Sequence, residues 1–253
     1  YFLFNQDFIE IKKKEKKLKE AIDLSVLHTD VHSHLIPGID DGSPDMETSI
    51  ALLKDLESLG FKKVITTPHV KAEVFPNDVN ELDELCEKLR HEAKMSGIGL
   101  TIEVGAEHRI DDDFHERLKS RMFKTFCGNH LLIELPFYAP PMGLNEYLFE
   151  LQLAGYRLIL AHPERYLFWY KDFEKFEELK DRGILFQLNT MSLGGYFGDE
   201  VYGLAKRLVE EEMIELLGTD THGARHIEAV RNTLHSPVLD KLIKSGNIIN
   251  RRF

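Results

Sequence analysis

From residue 26 onward, short apolar runs rich in Val, Ile and Leu alternate with longer stretches in which apolar residues recur every three and four positions. The short runs predict strands at 26–31, 63–67, 100–105, 130–135, 157–161, 185–189 and 214–218. The longer stretches predict helices from 44 to 59, across 82–89, near 112–120, 145–154, 173–182 and 200–211, and through much of 226–244. In the first helix Ser43 stands as N-cap and Pro44 at the first helical position, Ile50, Leu53, Leu56 and Leu59 form one face, and Gly60 ends it. Leu82, Leu85, Cys86 and Leu89 keep core spacing in the second.

Such repeated strand–helix pairs imply parallel strands joined by right-handed crossovers. No Pro-, Gly- or Ser-rich linker divides them, so residues 26–253 are expected to form one domain. Residues 1–25, with Lys12, Lys13, Lys14, Lys16, Lys17 and Lys19 close together, are expected to be a basic arm outside it, native or appended. An arm of that kind is either solvated or in contact with anionic lipid at a membrane surface. The pattern is compatible with a closed barrel or an open sheet.

Composition narrows the function. The 253 residues include 43% hydrophobic and 30% charged positions, which excludes disorder. With 32 basic against 43 acidic side chains the net charge is −11, which argues against a nucleic-acid partner. Two cysteines cannot build a disulfide framework and fit a cytoplasmic location. No apolar run approaches the ~20 residues that span a bilayer.

The chemistry gathers at the carboxyl ends of the strands, where parallel α/β folds place their sites. The first strand runs into His32-Ser33-His34, the second into Thr67-Pro68-His69 and the third into Gly105-Ala106-Glu107. The fourth ends in Ile133-Glu134, the fifth in Ala161-His162-Pro163-Glu164-Arg165, and the seventh in Thr219-Asp220-Thr221-His222. Residues two apart on a strand point the same way, so His32 with His34, and Asp220 with His222, can serve one ion or bridge two. Each residue alone has an ordinary structural explanation. Together, so many chargeable groups at one end of a sheet are costly to bury unless metal neutralises them. His226, in the loop after the last strand, stays open, while the remaining histidines read as structural or surface residues.

These motifs, with the run from His32 to Gly42, resemble the polymerase-and-histidinol-phosphatase (PHP) superfamily, and within it the bacterial manganese-dependent protein-tyrosine phosphatases of capsule and exopolysaccharide operons. The resemblance covers about residues 28–250. It implies a distorted seven-stranded, TIM-like (β/α) barrel holding three divalent metal ions on His32, His34, Asp41, His69, Glu107, Glu134, His162, Asp220 and His222. Asp40 stands beside Asp41 and either can fill that position. The family's phosphate arginines would be Arg165 and Arg225, although Gly223 stands where many relatives carry Asn. The implied substrate is phosphotyrosine on a protein, in particular a tyrosine kinase of polysaccharide export.

A donor set of imidazole and carboxylate suits manganese, iron or zinc, with magnesium alone disfavoured by the histidines. The expected chemistry is in-line attack of a metal-bridging hydroxide on phosphorus, with phenolate leaving. A cysteine mechanism is contradicted, because the Cys-x5-Arg loop would need Arg where Glu92 and Ile133 stand. Aromatic residues in the loops after ligand strands, Tyr138 and Tyr166 foremost, are expected to wall the substrate ring. Two alternatives remain: a PHP phosphoesterase for a small metabolite such as histidinol phosphate or for nucleic acid ends, and a phosphotyrosine-docking module without turnover.

Overall fold

A computed structural model describes residues 16–253; Lys12, Lys13 and Lys14 of the basic arm lie outside the described residues. In chain order the elements are β1 (Thr29–Asp30), α1 (Met46–Ser58), β2 (Lys63–Thr66), β3 (His69–Val70), α2 (Leu82–Met95), β4 (Thr101–Val104), β5 (Glu107–Arg109), α3 (Phe114–Ser120) and β6 (His130–Glu134). They continue with α4 (Leu144–Leu153), β7 (Arg157–Ala161), α5 (Glu174–Asp181), β8 (Leu185–Asn189), α6 (Asp199–Glu210), β9 (Leu216–Gly218), α7 (Ala224–Thr233) and α8 (Pro237–Lys244).

The alternation is as expected, and the differences have local causes. Residues 24–26 form a 3₁₀ turn capped by the Asp23 side chain, and His28 takes a φ of 66°, so the first strand shrinks to two residues. Asp45 rather than Ser43 caps α1, accepting from the Thr48 N–H at 2.8 Å. The Ser43 hydroxyl instead donates to the Asp45 carbonyl. The last helix breaks between α7 and α8, where Ser236 caps a new start and Pro237 takes its first position. The second and third strands each fall in two: Thr67 and Pro68 separate β2 from β3, and Gly105 and Ala106 separate β4 from β5. A proline cannot donate to a ladder, but its carbonyl still accepts, here from the Glu107 N–H at 3.0 Å.

Among the described residues these strands pair in parallel, in the orders β1-β2-β4 and β3-β5-β6-β7-β8-β9, with isolated antiparallel bridges only at Lys71–Phe75 and Phe126–His130. The segments beyond β1 and β9 also meet. Asp220 N–H donates to the His32 carbonyl at 2.8 Å, His34 N–H donates to the Thr221 carbonyl at 3.0 Å, and Thr67 N–H donates to the Ser33 carbonyl at 2.7 Å. The ends of β1, β2 and β9 are therefore hydrogen-bonded side by side.

Strand alternation sorts the side chains into two layers. Leu131 and Ile133 of β6, Leu158 and Leu160 of β7, and Phe186 and Leu188 of β8 belong to the large core that includes helical Leu53, Leu56, Phe176 and Leu208. Their neighbours Leu132, Ile159, Ala161 and Leu216 join Val31, Ile65 and Phe126 in a small separate cluster on the opposite face. Two residues further on, that face carries Glu134 on β6, and on β8 it carries Gln187 and Asn189. The apolar plug thus floors a polar mouth.

Leu18 and Ile22 N–H groups donate to the carbonyls of His235 and Leu234 beyond α7, and Leu24 is buried in the core. Among the described residues no helix is long and apolar enough to cross a membrane.

Candidate metal centre

The mouth is built on strand ends whose backbones are held in unusual conformations. His162, the first residue beyond β7, and Asp220, the second beyond β9, have φ of 34° and 50°. Left-handed conformations at residues other than glycine cost about 1–3 kcal/mol each and persist where surrounding contacts impose them. Gly218 permits the close approach of strands: a Cβ there would lie 2.7 Å from both His32 Cβ and Gln187 Nε2. Beyond β1 the loop folds back, with Ser43 N–H donating to the His34 carbonyl, and this carries Asp40 and Asp41 over the mouth.

All nine expected donors converge. His32 and His34 Nε2 are 3.2 Å apart. Asp220 Oδ1 lies 3.4 Å from His32 Nε2, 3.5 Å from His34 Nε2 and 3.4 Å from His222 Nδ1. Glu107 Oε2 is 3.5 Å from both His32 and His34 Nε2, while its Oε1 accepts from His162 Nε2 at 2.8 Å. Asp41 Oδ1 stands 3.4 Å from His69 Nε2 and 3.6 Å from His222 Nε2, and Glu134 Oε1 is 3.8 Å from His162 Nε2. Three overlapping groups, His34/Asp41/His69/His222, His32/His34/Glu107 and His69/Glu107/Glu134, each keep their donor atoms within 4.8 Å of one another.

Bond accounting favours a metal in this mouth. His69 Nδ1, His162 Nδ1 and Glu107 Oε2 are buried without a hydrogen-bond partner, although His69 Nδ1 and Glu107 Oε2 approach to 2.8 Å without the geometry of a hydrogen bond. Buried polar atoms are rarely left so, and a cation held by His69, Glu107 and Glu134 would satisfy His69 Nδ1 and Glu107 Oε2. The donor set is nitrogen and oxygen without thiolate, the chemistry of manganese, iron or zinc.

The protonation pattern shows the same demand for positive charge. Burial opposes a charge on His32, but Asp220 and Glu107 outweigh it and push the imidazole up to about 8. His34 is likewise held well above its ordinary value, with burial overcome by Asp40 and then Glu107. Burial also opposes ionisation of Glu107 and Asp220, yet the surrounding imidazoles hold both below the usual carboxylate range. Asp41 is lowered to about 2 because the neighbouring His222 and His69 outweigh its partial burial. Glu134 goes the other way, raised by burial and by the charge of Glu107. Burial lowers His162 to about 4, keeping it neutral as a metal-ligating imidazole must be.

A cavity of about 330 Å³ opens on these groups, lined further by Lys71, Phe137, Arg165, Phe197 and His226. Arg165 lies between two rings, its Cζ 4.2 Å from the Phe137 centroid and 4.7 Å from that of Phe197, with Nη1 3.7 Å from Asp220 Oδ2.

Comparison with known proteins meets this geometry. Residues 28–235 match the family model described as "Capsular polysaccharide synthesis, CpsB/CapC". The chain belongs to the CpsB/CapC family. It is 30% identical over 194 residues to CapC of Staphylococcus aureus, covering 76% of each chain. It is 29% identical over 197 residues to the tyrosine-protein phosphatase YwqE of Bacillus subtilis, covering 78% of each. In structure it superposes with a TM-score of 0.76 and 28% identity on a chain from the crystal structures of YwqE from Bacillus subtilis and CpsB from Streptococcus pneumoniae, described as metal-dependent tyrosine phosphatases, covering 85% of this chain and 90% of that one.

In this CpsB/CapC chain three expected substrate contacts are misplaced. Arg225 is exposed on the first turn of α7 and does not line the cavity, because the short loop after Asp220 turns into helix at once. Tyr166 is fully buried: its hydroxyl accepts from Leu135 N–H at 2.9 Å and donates to the Ala161 carbonyl at 3.0 Å, tying β6 to β7. Tyr138 is 93% exposed and outside the cavity lining, and its neighbour Phe137 turns inward instead.

The structure separates the two aspartates left open by the sequence, and it adds Gln187 and Asn189, which the sequence reading did not place in the site. Asp40 accepts from His34 Nδ1 at 2.7 Å and from His69 N–H at 3.0 Å, orienting two candidate ligands, which leaves Asp41 as the member facing the mouth. His32 Nδ1 donates to Gln187 Oε1 at 2.6 Å, Gln187 Nε2 donates to Asn189 Oδ1 at 3.0 Å, and Asn189 Nδ2 donates to Asp220 Oδ2 at 2.6 Å. That chain of amides locks His32 to Asp220 and fixes the His32 tautomer, as outer partners of metal ligands do. The two-residue spacing of Gln187 and Asn189 on one strand face was the available signal.

Proposed function

We infer that this protein is a metal-dependent protein-tyrosine phosphatase of capsular or exopolysaccharide synthesis, acting on a phosphotyrosyl protein. What carries the reading is the convergence of nine His and carboxylate donors beneath one cavity edged by a stacked arginine, in a CpsB/CapC chain whose relatives are named tyrosine-protein phosphatases. The finer reading takes three divalent ions, manganese foremost, and a tyrosine kinase of polysaccharide export as substrate. It also takes the seven strand units as a distorted closed barrel, supported by the hydrogen bonds between the ends of β1 and β9. The two free thiols, Cys86 and Cys127, fit a reducing cytoplasm.

His32, His34, Asp41, His69, Glu107, Glu134, His162, Asp220 and His222 would hold the ions. Bound divalent metal supplies a water of lowered pKa as nucleophile and positive charge for the phosphoryl oxygens. The protein's own groups do the rest. Arg165, its Cζ over both the Phe137 and Phe197 rings, is pre-set to receive phosphate oxygens with little loss of side-chain freedom. The same rings narrow the entrance to a planar aryl group and exclude water from around the phosphate. His226 lines the cavity beside the ligands, its Nδ1 2.9 Å from the Asp220 carbonyl and 3.2 Å from the His222 N–H. With a parent pKa of about 10, phenol leaves without strong acid assistance.

The test is phosphate release from a phosphotyrosyl peptide, histidinol phosphate and a phosphorylated DNA end, with and without manganese. Release from the peptide alone, and only with metal, is expected. Preference for either other substrate, or undiminished release after chelation, would overturn the reading.

A further inference from the structure

We propose that Lys71 is a second phosphate-binding cation of this site, working opposite Arg165 in the role expected of Arg225. The inference rests on the phosphatase reading and adds a residue to it. Lys71 lies two residues beyond His69, on the same side of the extended chain, and both line the cavity. Its backbone is pinned: Lys71 N–H donates to the Phe75 carbonyl at 3.0 Å, and Phe75 N–H donates back at 2.9 Å. Phe75 in turn stacks on His69, with ring centroids 5.7 Å apart and planes 7° from parallel. A tight hairpin therefore sets the Lys71 stem against a candidate ligand.

The ammonium, with its side chain only 14% exposed, lies 3.0 Å from His69 Nε2 and 3.4 Å from Glu134 Oε2. Both acceptors belong to the metal-ligand set. A metal on either nitrogen of a neutral His69 leaves Nε2 without a lone pair for the ammonium, and Glu134 Oε2 is already shared with Arg109 Nη1 at 3.2 Å, so a filled site leaves Lys71 as a partly desolvated cation at the edge of the cavity. Arg165 approaches from the side of Asp220 and Lys71 from that of Glu134, so the two cations flank the ligands between them. A planar guanidinium fixes two oxygens, and a mobile point charge can follow a third as phosphorus inverts.

The test titrates inorganic phosphate into the manganese-loaded protein by calorimetry, for wild type, Lys71→Met, Lys71→Arg and Arg225→Ala, with metal content measured on each sample. Loss of one charge-assisted hydrogen bond should weaken phosphate binding about ten- to a hundredfold in Lys71→Met. Metal content should be unchanged, Lys71→Arg should restore most of the affinity, and Arg225→Ala should match wild type. Phosphate affinity in Lys71→Met within twofold of wild type would overturn the proposal. So would a fall in its metal content, which would make Lys71 a support for His69 and Glu134, or a loss in Arg225→Ala instead. The titration needs no turnover, so a wild type that binds phosphate through Lys71 but spares phosphotyrosyl peptide would overturn the phosphatase reading alone.

Discussion

Replacing Asp40 by Ala should weaken the fold and the metal site together, whereas replacing Asp41 by Ala should weaken the metal site alone. Asp40 is buried and accepts from His34 Nδ1 at 2.7 Å and from the N–H groups of His69 and Gly42 at 3.0 Å each. Removing one member of a buried ion pair strands the other, at a cost of roughly 3–5 kcal/mol. That is a large share of the ~5–15 kcal/mol that stabilises a typical domain. The Asp41 side chain is 57% exposed and touches His69 and His222 only at 3.4 and 3.6 Å, a pairing worth ~0–1 kcal/mol without metal. The Asp40 carboxyl is held below its ordinary range despite burial, chiefly by His34, so its contribution is present above about pH 4 and lost below. His34 is raised, so its contribution is complete below about pH 6.5 and fades as pH climbs through its higher folded value. Urea unfolding of chelator-treated protein at pH 6 therefore reads the pair at full strength. Asp40→Ala should lose the 3–5 kcal/mol and Asp41→Ala less than about 1 kcal/mol. In manganese titrations both should bind more weakly, by about 10–100-fold for the outer residue Asp40. Equal stability of Asp40→Ala and wild type, or a larger loss in Asp41→Ala, would refute the assignment.

Tyr166→Phe should leave Leu135 N–H and the Ala161 carbonyl unpaired and lower unfolding free energy by about 1–3 kcal/mol, with KM for a phosphotyrosyl peptide unchanged; a raised KM at full stability would restore it as a substrate contact. Gly218→Ala should force His32 and Gln187 apart at a cost of about 1–3 kcal/mol and lower bound manganese in elemental analysis, a result that full metal content would contradict. Glu164, pushed up to about 7 by burial against the hydrogen bond from Ser192, keeps its proton in the folded chain while the unfolded chain loses it near pH 4.5. Stability must then fall as pH rises from 4.5 to 7. In metal-free protein, Glu164→Gln should escape that fall and gain up to about 3 kcal/mol on wild type across the interval, whereas parallel pH profiles would exclude a protonated Glu164.

The parts of the site legible in the sequence are those governed by strand periodicity. His32 and His34, Glu134, and Asp220 with His222 fall where alternation turns them inward, and the residues before them on the same face, Leu132 and Leu216, form the plug below. Loop residues obey no such period. Phe137 lines the cavity while Tyr138 faces solvent, although they are adjacent, and Tyr166 is drawn beneath the surface by hydrogen bonds to β6 and β7. Arg225 was legible as a cation near a ligand strand, but the direction of α7 carries it away. Lys71 sat beside His69 in plain view, yet only a hairpin closed by Phe75 shows that it turns inward. The Gln187–His32 bond joins residues far apart in sequence, and Asp40 could be told from Asp41 only by which one meets His34. The short first strand has the same origin, since His28 at positive φ follows a turn capped locally by Asp23.

The central claim is that the strand-end donors hold the metal on which phosphotyrosine hydrolysis depends. Its most direct test is elemental analysis paired with phosphate release from a phosphotyrosyl peptide, for wild type, His32→Ala and Asp220→Ala prepared alike in manganese. Wild type should carry bound divalent metal and release phosphate, and both variants should lose metal and activity together. Intact metal content and turnover in either variant would contradict the account.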